Sequence, residues 1–273
     1  MVTKRKSSAA LFQSEQEHGA EHKPNAMQRR QEVMESEERK HQHQLPTSNA
    51  LKIKLDHLKT FEPLTETQRL VFNAYKEGDY FMGLFGSPGT GKTFCAMYRA
   101  LEEVLDKSNS YKRIVVVRSA VQTRDQGFMP GSLDEKQAIF EQPYVEICTT
   151  LFDRPDAWER LKEQGYARFI TTTAIRGISI DDAIIIVDEC QSMSWHELST
   201  VMSRTGYRSK IVFSGDLKQN DLIKSKYDTS GLQEFLNVAR KMKSFSEFTF
   251  TTDDIVRSSL VKEFIIACEE TGY

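Results

Sequence analysis

Long hydrophobic runs are missing from this 273-residue sequence, and nothing in it approaches the roughly 20 consecutive apolar residues that a membrane-spanning helix needs. The basic first residues, 1–8, precede no apolar stretch and do not form a secretory signal. Cysteine is also scarce, and the four present form no Cys-x-x-Cys pair: Cys95, Cys148, Cys190 and Cys268. With this spacing and without a secretory signal, the cysteines predict reduced thiols in a reducing compartment. We therefore expect a soluble, cytoplasmic protein without a membrane partner.

An excess of charge of one sign is lacking as well. The formal net charge is −2 and the isoelectric point is about 6.3, so the whole-chain field does not attract nucleic acid. A local basic groove stays open as a possibility. The apolar share of 39% and the aromatic share of 10% are typical of a globular protein.

Large apolar side chains are few in residues 1–46, which are rich in Gln, Glu, Lys, Arg, His and Ser. Such a segment cannot bury enough apolar surface to offset the entropy lost on ordering. We predict a disordered or weakly helical polar tail there, followed by one domain over residues 47–273.

Apolar patterns within residues 47–273 predict a layered α/β domain. Thr65 and Gln68 have capping-box spacing, and an amphipathic helix is predicted to follow them. A second amphipathic helix is predicted from Lys92. Short apolar runs predict strands at 81–85, 114–117, 169–172, 183–187, 211–213 and 248–251. Helical patterns separate most of these runs, which is typical of a mostly parallel sheet with helices on both faces.

The most specific motif follows the first predicted strand. It consists of Gly86, Ser87, Pro88, Gly89, Thr90, Gly91, Lys92 and Thr93. Glycines let successive backbone N–H groups turn inward toward a phosphate, and the following helix presents its positive dipole end. Lys92 supplies a cation for the β- and γ-phosphates, and the Thr93 hydroxyl is placed to bind Mg²⁺. A strand before the loop and a helix after it make this context specific.

Two carboxylates end the predicted strand at 183–187. Asp188 is expected to hold Mg²⁺ through water at the tip of the strand. Glu189 is then available to orient or deprotonate an attacking water. The alternative interpretation is that both are solvated carboxylates of a loop. The phosphate loop upstream favours the functional interpretation instead.

Three further residues are candidates for the same site. Gln219 follows the strand at 211–213 and is predicted to sense the γ-phosphate with its amide. Arg257 and Arg204 compete as the guanidinium that stabilises charge on the transferred phosphoryl group. Each arginine has the alternative of pairing with a surface carboxylate.

These residues, in this order, resemble the PhoH family of P-loop ATPases, which is related to the first domain of superfamily 1 helicases. The resemblance covers residues 64–264 and includes further blocks: 116–121, 127–131, 134–136, 143–144, 175–177, 188–191, 204–206, 209–210 and 230–232. Two positions depart from the family pattern: Ser119 stands where proline is usual, and Ser258 stands where histidine commonly follows the arginine.

The resemblance implies a RecA-like P-loop NTPase domain that binds ATP with Mg²⁺ and acts on RNA or another single strand. It also implies that Gln68 contacts the adenine edge, with helix capping as the alternative. Too few residues follow Gly231 for a second RecA-like domain. An arginine must then act in cis or come from a neighbouring copy, and we expect a ring-like homo-oligomer that uses Arg257, or otherwise Arg204.

Two functions of different class remain open, with a third less favoured. The first is an ATPase that couples hydrolysis to RNA binding or remodelling. Five basic residues near strand ends or loops are candidate phosphate contacts: Arg118, Arg124, Arg176, Lys218 and Lys224. The second is an ATP-dependent switch with slow hydrolysis and no helicase activity. The third, a small-molecule kinase, is disfavoured by the Gln219 block and by the absence of an obvious lid.

Overall fold

The structure is a computed structural model that describes residues 52–119, 133–217 and 231–271. For residues 133–136 it describes the backbone only. The predicted polar tail at 1–46 lies outside these residues. In the described ranges the strands are β1 (Phe81–Gly86), β2 (Arg113–Arg118), β3 (Ala167–Thr171), β4 (Ala183–Val187), β5 (Lys210–Gly215) and β6 (Phe245–Phe250).

Seven α-helices and three short 3₁₀ turns accompany these strands in the same ranges. The helices are α1 (Glu66–Glu77), α2 (Lys92–Leu105), α3 (Leu133–Phe152), α4 (Ala157–Glu163), α5 (Trp195–Arg204), α6 (Leu232–Ala239) and α7 (Ser259–Thr271). The 3₁₀ turns are Leu55–His57, Cys190–Ser192 and Thr252–Asp254. No helix in the described residues combines the length and apolar character required to cross a bilayer.

The six strands form one sheet in the order β3-β2-β4-β5-β1-β6, and every neighbouring pair is parallel. β4, β5 and β1 are adjacent, with Val187 opposite Phe213 and Phe85 opposite Gly215. The carboxyl ends of parallel strands meet at one edge of a sheet, which is where such folds bind ligands. The three strand ends predicted to carry chemistry are therefore side by side.

Two hydrophobic layers cover the sheet, one on each face. Alternate strand residues divide between them: Ile184 and Ile186 pack in one cluster, Ile185 and Val187 in the other. The first cluster includes residues of α1, α2, α3 and α4, and the second includes residues of α5 and α6. Successive side chains of a strand point to opposite faces, so continuous apolar strands require both layers. The predicted α/β fold, a mostly parallel sheet with helices on both faces, is confirmed.

The predicted strands all occur, with ends that differ by at most three residues. Only the first half of the predicted capping box of α1 forms, because the Gln68 side chain bonds to Leu64 rather than to the backbone N–H of Thr65. Thr65 accepts a hydrogen bond from the Gln68 backbone N–H at 3.3 Å, as expected. The Gln68 side-chain oxygen accepts from Leu64 N at 2.8 Å, and the Gln68 amide nitrogen donates to Thr90 O at 2.9 Å. The side chain is thus turned toward the phosphate loop.

Candidate nucleotide and magnesium site

The phosphate loop joins β1 to α2 and is anchored on the edge strand β6. Gly86, Gly89 and Gly91 have φ of 128°, 73° and 81°, a region that favours glycine. A Cβ at Gly86 would lie 1.8 Å from the Phe250 carbonyl oxygen, so no larger residue fits there. Ser87 N donates to the same carbonyl at 3.2 Å. The conformation of the phosphate loop therefore depends both on its own glycines and on its contact with β6.

Lys92 lies at the centre of this loop. Its ammonium donates to Gly86 O at 2.8 Å and to Ser87 O at 2.7 Å. Burial lowers the pKa of Lys92, and the nearby carboxylates, Asp216 first, oppose that shift. The side chain thus places a positive charge among backbone groups, as a phosphate cradle requires.

Thr93 and Asp188 meet beside the loop. The Thr93 hydroxyl donates to Asp188 Oδ1 at 2.8 Å and lies 3.5 Å from Ser214 Oγ. These are oxygen donors, which suit Mg²⁺; protein sites hold this ion with one or two carboxylates plus substrate phosphates. Among the described residues, no group of three or more His, Cys, Asp or Glu side chains is placed to hold a metal ion.

Tyr144 completes the surroundings of Asp188 and was not predicted to act there. Its hydroxyl donates to Asp188 Oδ2 at 2.9 Å, from a fully buried position on α3. Burial, followed by the Asp188 charge, raises the pKa of Tyr144 well above its ordinary value. The phenol therefore keeps its proton and serves as a donor. No sequence pattern links a helical tyrosine to a strand end so far along the chain.

Glu189 follows Asp188 on a left-handed backbone, with φ 52° and ψ 40°. This conformation is uncommon for a residue with a side chain and is characteristic of functional sites. Burial and the neighbouring Asp188 charge raise the pKa of Glu189. Gln191, which is 3% exposed, donates to Glu189 Oε2 at 2.6 Å and accepts from Asp216 N at 3.1 Å. Gln191 thus links the acidic strand end to the turn after β5, a role that sequence reasoning missed.

A cavity of about 640 Å³ adjoins these groups. Its lining includes the polar residues Lys92, Thr93, Asp188 and Glu189. Three aromatic residues line the same cavity: Phe61, Phe72 and Phe94. A cavity of this volume with both polar and aromatic lining suits a nucleotide.

Gln68 lines the same cavity, and it is 4% exposed. Its amide already bonds to Thr90 O and Leu64 N, and each end of an amide has capacity for a second hydrogen bond. The predicted contact with the adenine edge stays a prediction.

Arg257 lies against the phosphate loop of its own chain. Val256 N donates to Gly89 O at 3.1 Å, and a Cβ at Gly89 would lie 2.9 Å from Arg257 Cγ. Arg257 also lines the cavity. The structure thus places this arginine in cis, beside the groups that would bind phosphate.

Arg204 is at the opposite end of the strands. It ends α5, and its carbonyl accepts from Ile180 N at 2.9 Å, close to the start of β4. Its Nε is buried without a hydrogen-bond partner among the described residues. Within one chain, Arg204 is therefore separated from the phosphate loop. Gln219 falls outside the described residues.

The last helix also contacts the loop. Ser87 Oγ donates to Glu269 Oε1 at 2.5 Å, and a Cβ at Gly89 would lie 3.6 Å from Ile265 Cδ1. No residue of α7 is buried, although the helix carries exposed Leu260, Val261 and Phe264. The helix therefore touches the loop without being part of the core.

Of the five candidate phosphate contacts, Arg118 and Arg176 lie in the described part of the chain. Arg118 lines the nucleotide cavity, with its guanidinium 5.9 Å from the centre of the Phe140 ring. Arg176 is exposed and lies 3.4 Å from His196 Nε2. The structure thus assigns Arg118 to the cavity and leaves Arg176 at the surface. The other three lie outside the described residues.

The family model and the relatives that match this chain carry the same family description. The family model described as PhoH-like protein matches residues 60–269. The chain is 31% identical over 217 residues to the PhoH-like protein of Bacillus subtilis (strain 168), covering 78% of this chain and 65% of that protein. It is 30% identical over 210 residues to the PhoH-like protein of Mycobacterium tuberculosis (strain ATCC 25618 / H37Rv), covering 77% and 58%. The chain thus matches less than two thirds of the length of these relatives.

Solved structures show a more distant similarity. The large terminase of a thermophilic bacteriophage, in complex with ADP, has a TM-score of 0.42 and 14% identity, covering 74% of this chain and 49% of that one. The family match spans most of the chain, including the phosphate loop, the acidic strand end and most of the last helix. With this family model matched over most of its length, the chain belongs to the PhoH-like protein family.

Proposed function

We propose that this protein binds ATP with Mg²⁺ and hydrolyses it, and that hydrolysis is coupled to the binding or remodelling of RNA. The observation that carries the proposal is the convergence at one cavity of Lys92, the Thr93–Asp188 pair and Glu189. When bound, Mg²⁺ would neutralise charge on the phosphates, with Thr93 and Asp188 holding it.

The chain's own residues would divide the remaining work. Lys92 binds the β- and γ-phosphates. Glu189, held by Gln191 at 2.6 Å, is aimed by its left-handed backbone and accepts a proton from the attacking water. Arg257 stabilises developing negative charge from the Gly89 side of the loop.

RNA as the coupled partner rests on the family resemblance and on exposed Arg176, which is carried by a loop after the carboxyl end of β3. A ring-like homo-oligomer stays a prediction. The position of Arg257 beside the phosphate loop of its own chain supports the arrangement in which the arginine acts in cis, and a ring is compatible with that arrangement. We place the protein in the cytoplasm because all four cysteines are free.

The alternative, an ATP-dependent switch with slow hydrolysis, is favoured by one observation. α7 touches the phosphate loop through Glu269 yet has no buried residue. An element held by few buried contacts has low local stability. Binding of a triphosphate at Ser87 would compete with Glu269 and so change the position of α7.

The test is an ATPase assay with no nucleic acid, with RNA and with single-stranded DNA, each at two salt concentrations. Stimulation by RNA that falls steeply with salt supports coupling, because phosphate contacts release counterions. Steady slow turnover that no single strand stimulates supports the switch. Absence of Mg²⁺-dependent binding of adenine nucleotides contradicts both.

A further inference from the structure

We propose that Tyr144 is a positioning residue for the magnesium site: its hydroxyl fixes the orientation of the Asp188 carboxylate and thereby sets the affinity of the nucleotide-bound protein for the metal. The inference rests on the proposed function, because it concerns the same Mg²⁺ site. It assigns a role to the Tyr144 hydroxyl on α3, which would orient a metal ligand without binding the metal itself.

The orientation of Asp188 needs such a group. The terminal torsion of an aspartate is broad, so hydrogen bonds rather than a staggered well decide where its oxygens point. Thr93 holds Oδ1 at 2.8 Å, and Tyr144 holds Oδ2 at 2.9 Å. Because each carboxylate oxygen has two lone pairs, both bonds leave a lone pair for a metal or its water.

Tyr144 is itself held rigidly. Its ring is fully buried and packs against Trp158 and Phe169, with ring centroids 5.8 and 5.9 Å away. Trp158 is fixed in turn, since its Nε1 donates to Glu141 Oε2 at 2.6 Å. Because the Tyr144 ring cannot move freely, its hydroxyl holds the Asp188 carboxylate in one orientation. Outer partners of this kind orient metal ligands, and their removal typically costs about 10–100-fold in metal affinity.

The experiment compares Tyr144→Phe with the unmutated chain. Mn²⁺ binding to the ADP-saturated protein is measured by electron paramagnetic resonance, and Mg²⁺ is titrated in competition. ADP binding is measured separately in EDTA. We expect metal affinity to fall about 10–100-fold and metal-free ADP binding to stay within about twofold.

The matched control is Tyr75→Phe. Tyr75 is also buried, at 2% exposure, and its hydroxyl donates to the Ala96 carbonyl at 3.3 Å, away from Asp188. This variant should bind both metals as the unmutated chain does. In an Asp188→Asn background, Tyr144→Phe should cause no further loss, because the group that it orients is already changed.

Unchanged metal affinity in Tyr144→Phe overturns the inference while leaving the proposed function intact. Loss of metal-free ADP binding, or of a cooperative thermal transition, overturns it too, because the phenol would then serve the fold rather than the metal. If the unmutated chain itself binds no ADP with Mn²⁺ or Mg²⁺, the proposed function fails instead.

Discussion

Ser87 of the phosphate loop donates a hydrogen bond to Glu269 near the end of α7, with an Oγ to Oε1 distance of 2.5 Å. The two residues are 182 positions apart in the chain. The contact places a carboxylate at a loop whose other features favour anions. A triphosphate entering this loop would meet a like charge at Ser87.

Glu269→Ala should therefore strengthen ATP binding, by roughly 3- to 10-fold, because it removes a nearby negative charge at a partly exposed position. Fluorescent-nucleotide titration measures the change. Glu263→Ala, at an exposed position on the same helix, is the control and should have no effect. Weaker binding in Glu269→Ala would show that the carboxylate supports the loop instead.

Lys92→Ala should weaken ATP binding by roughly 10- to 100-fold, since hydrogen bonds to charged groups contribute about 1.5–3 kcal/mol. Isothermal titration calorimetry gives the affinity. Lys76→Ala removes an exposed lysine at the end of α1 and should leave the affinity unchanged. Equal affinity in both variants would remove Lys92 from the phosphate site.

Glu189→Gln should keep nucleotide binding and reduce turnover by ~10²–10⁴-fold, the typical contribution of a positioned general base. Phosphate release and nucleotide titration on the same preparation separate the two effects. A glutamine variant that hydrolyses ATP at the normal rate would exclude a role for Glu189 in activating water.

Arg257→Ala should keep nucleotide binding and lose ~10³–10⁵-fold in rate, as expected for a guanidinium that stabilises transferring phosphoryl charge. The structure puts Arg257 in the cavity of its own chain. Mixing Arg257→Ala with Lys92→Ala protein should therefore restore no activity. Recovery on mixing would instead show that the arginine reaches the cavity of a neighbouring copy.

A buried ion pair between β5 and α2 gives a prediction about stability. Lys210, 1% exposed, donates to both Glu103 oxygens at 2.9 Å and lies 4.3 Å from the Tyr75 ring centroid. Burial lowers the pKa of Lys210 and raises that of Glu103, so each depends on its partner. Removing one partner of such a pair costs about 3–5 kcal/mol.

Glu103→Leu and Lys210→Met should each show that loss in the free energy of unfolding, measured by urea denaturation. The double variant Glu103→Leu with Lys210→Met should recover most of it, because an apolar pair leaves no uncompensated charge. Losses that simply add in the double variant would contradict the pairing.

The sequence was most informative where the chemistry is local. The phosphate loop from Gly86 to Thr93 and the pair Asp188–Glu189 are each contiguous, and apolar runs locate the strands that carry them. Contacts between segments that are distant in the chain produce no recognisable motif in the sequence. Tyr144 with Asp188 and Ser87 with Glu269 join positions 44 and 182 apart, and either partner alone is an ordinary residue. Arg204 and Arg257 were both candidates in the sequence, with Arg257 preferred, and their places at opposite ends of the strands distinguish them.

The anchoring of the phosphate loop on β6 also bears on how this protein is synthesised. Gly86 and Ser87 leave the ribosome long before Phe250, whose carbonyl accepts from Ser87 N. β1 pairs with both β5 and β6, so a nascent chain arrested before Phe250 would display an incomplete sheet edge. We therefore expect the phosphate loop to gain its full set of backbone contacts only after Phe250 has been synthesised.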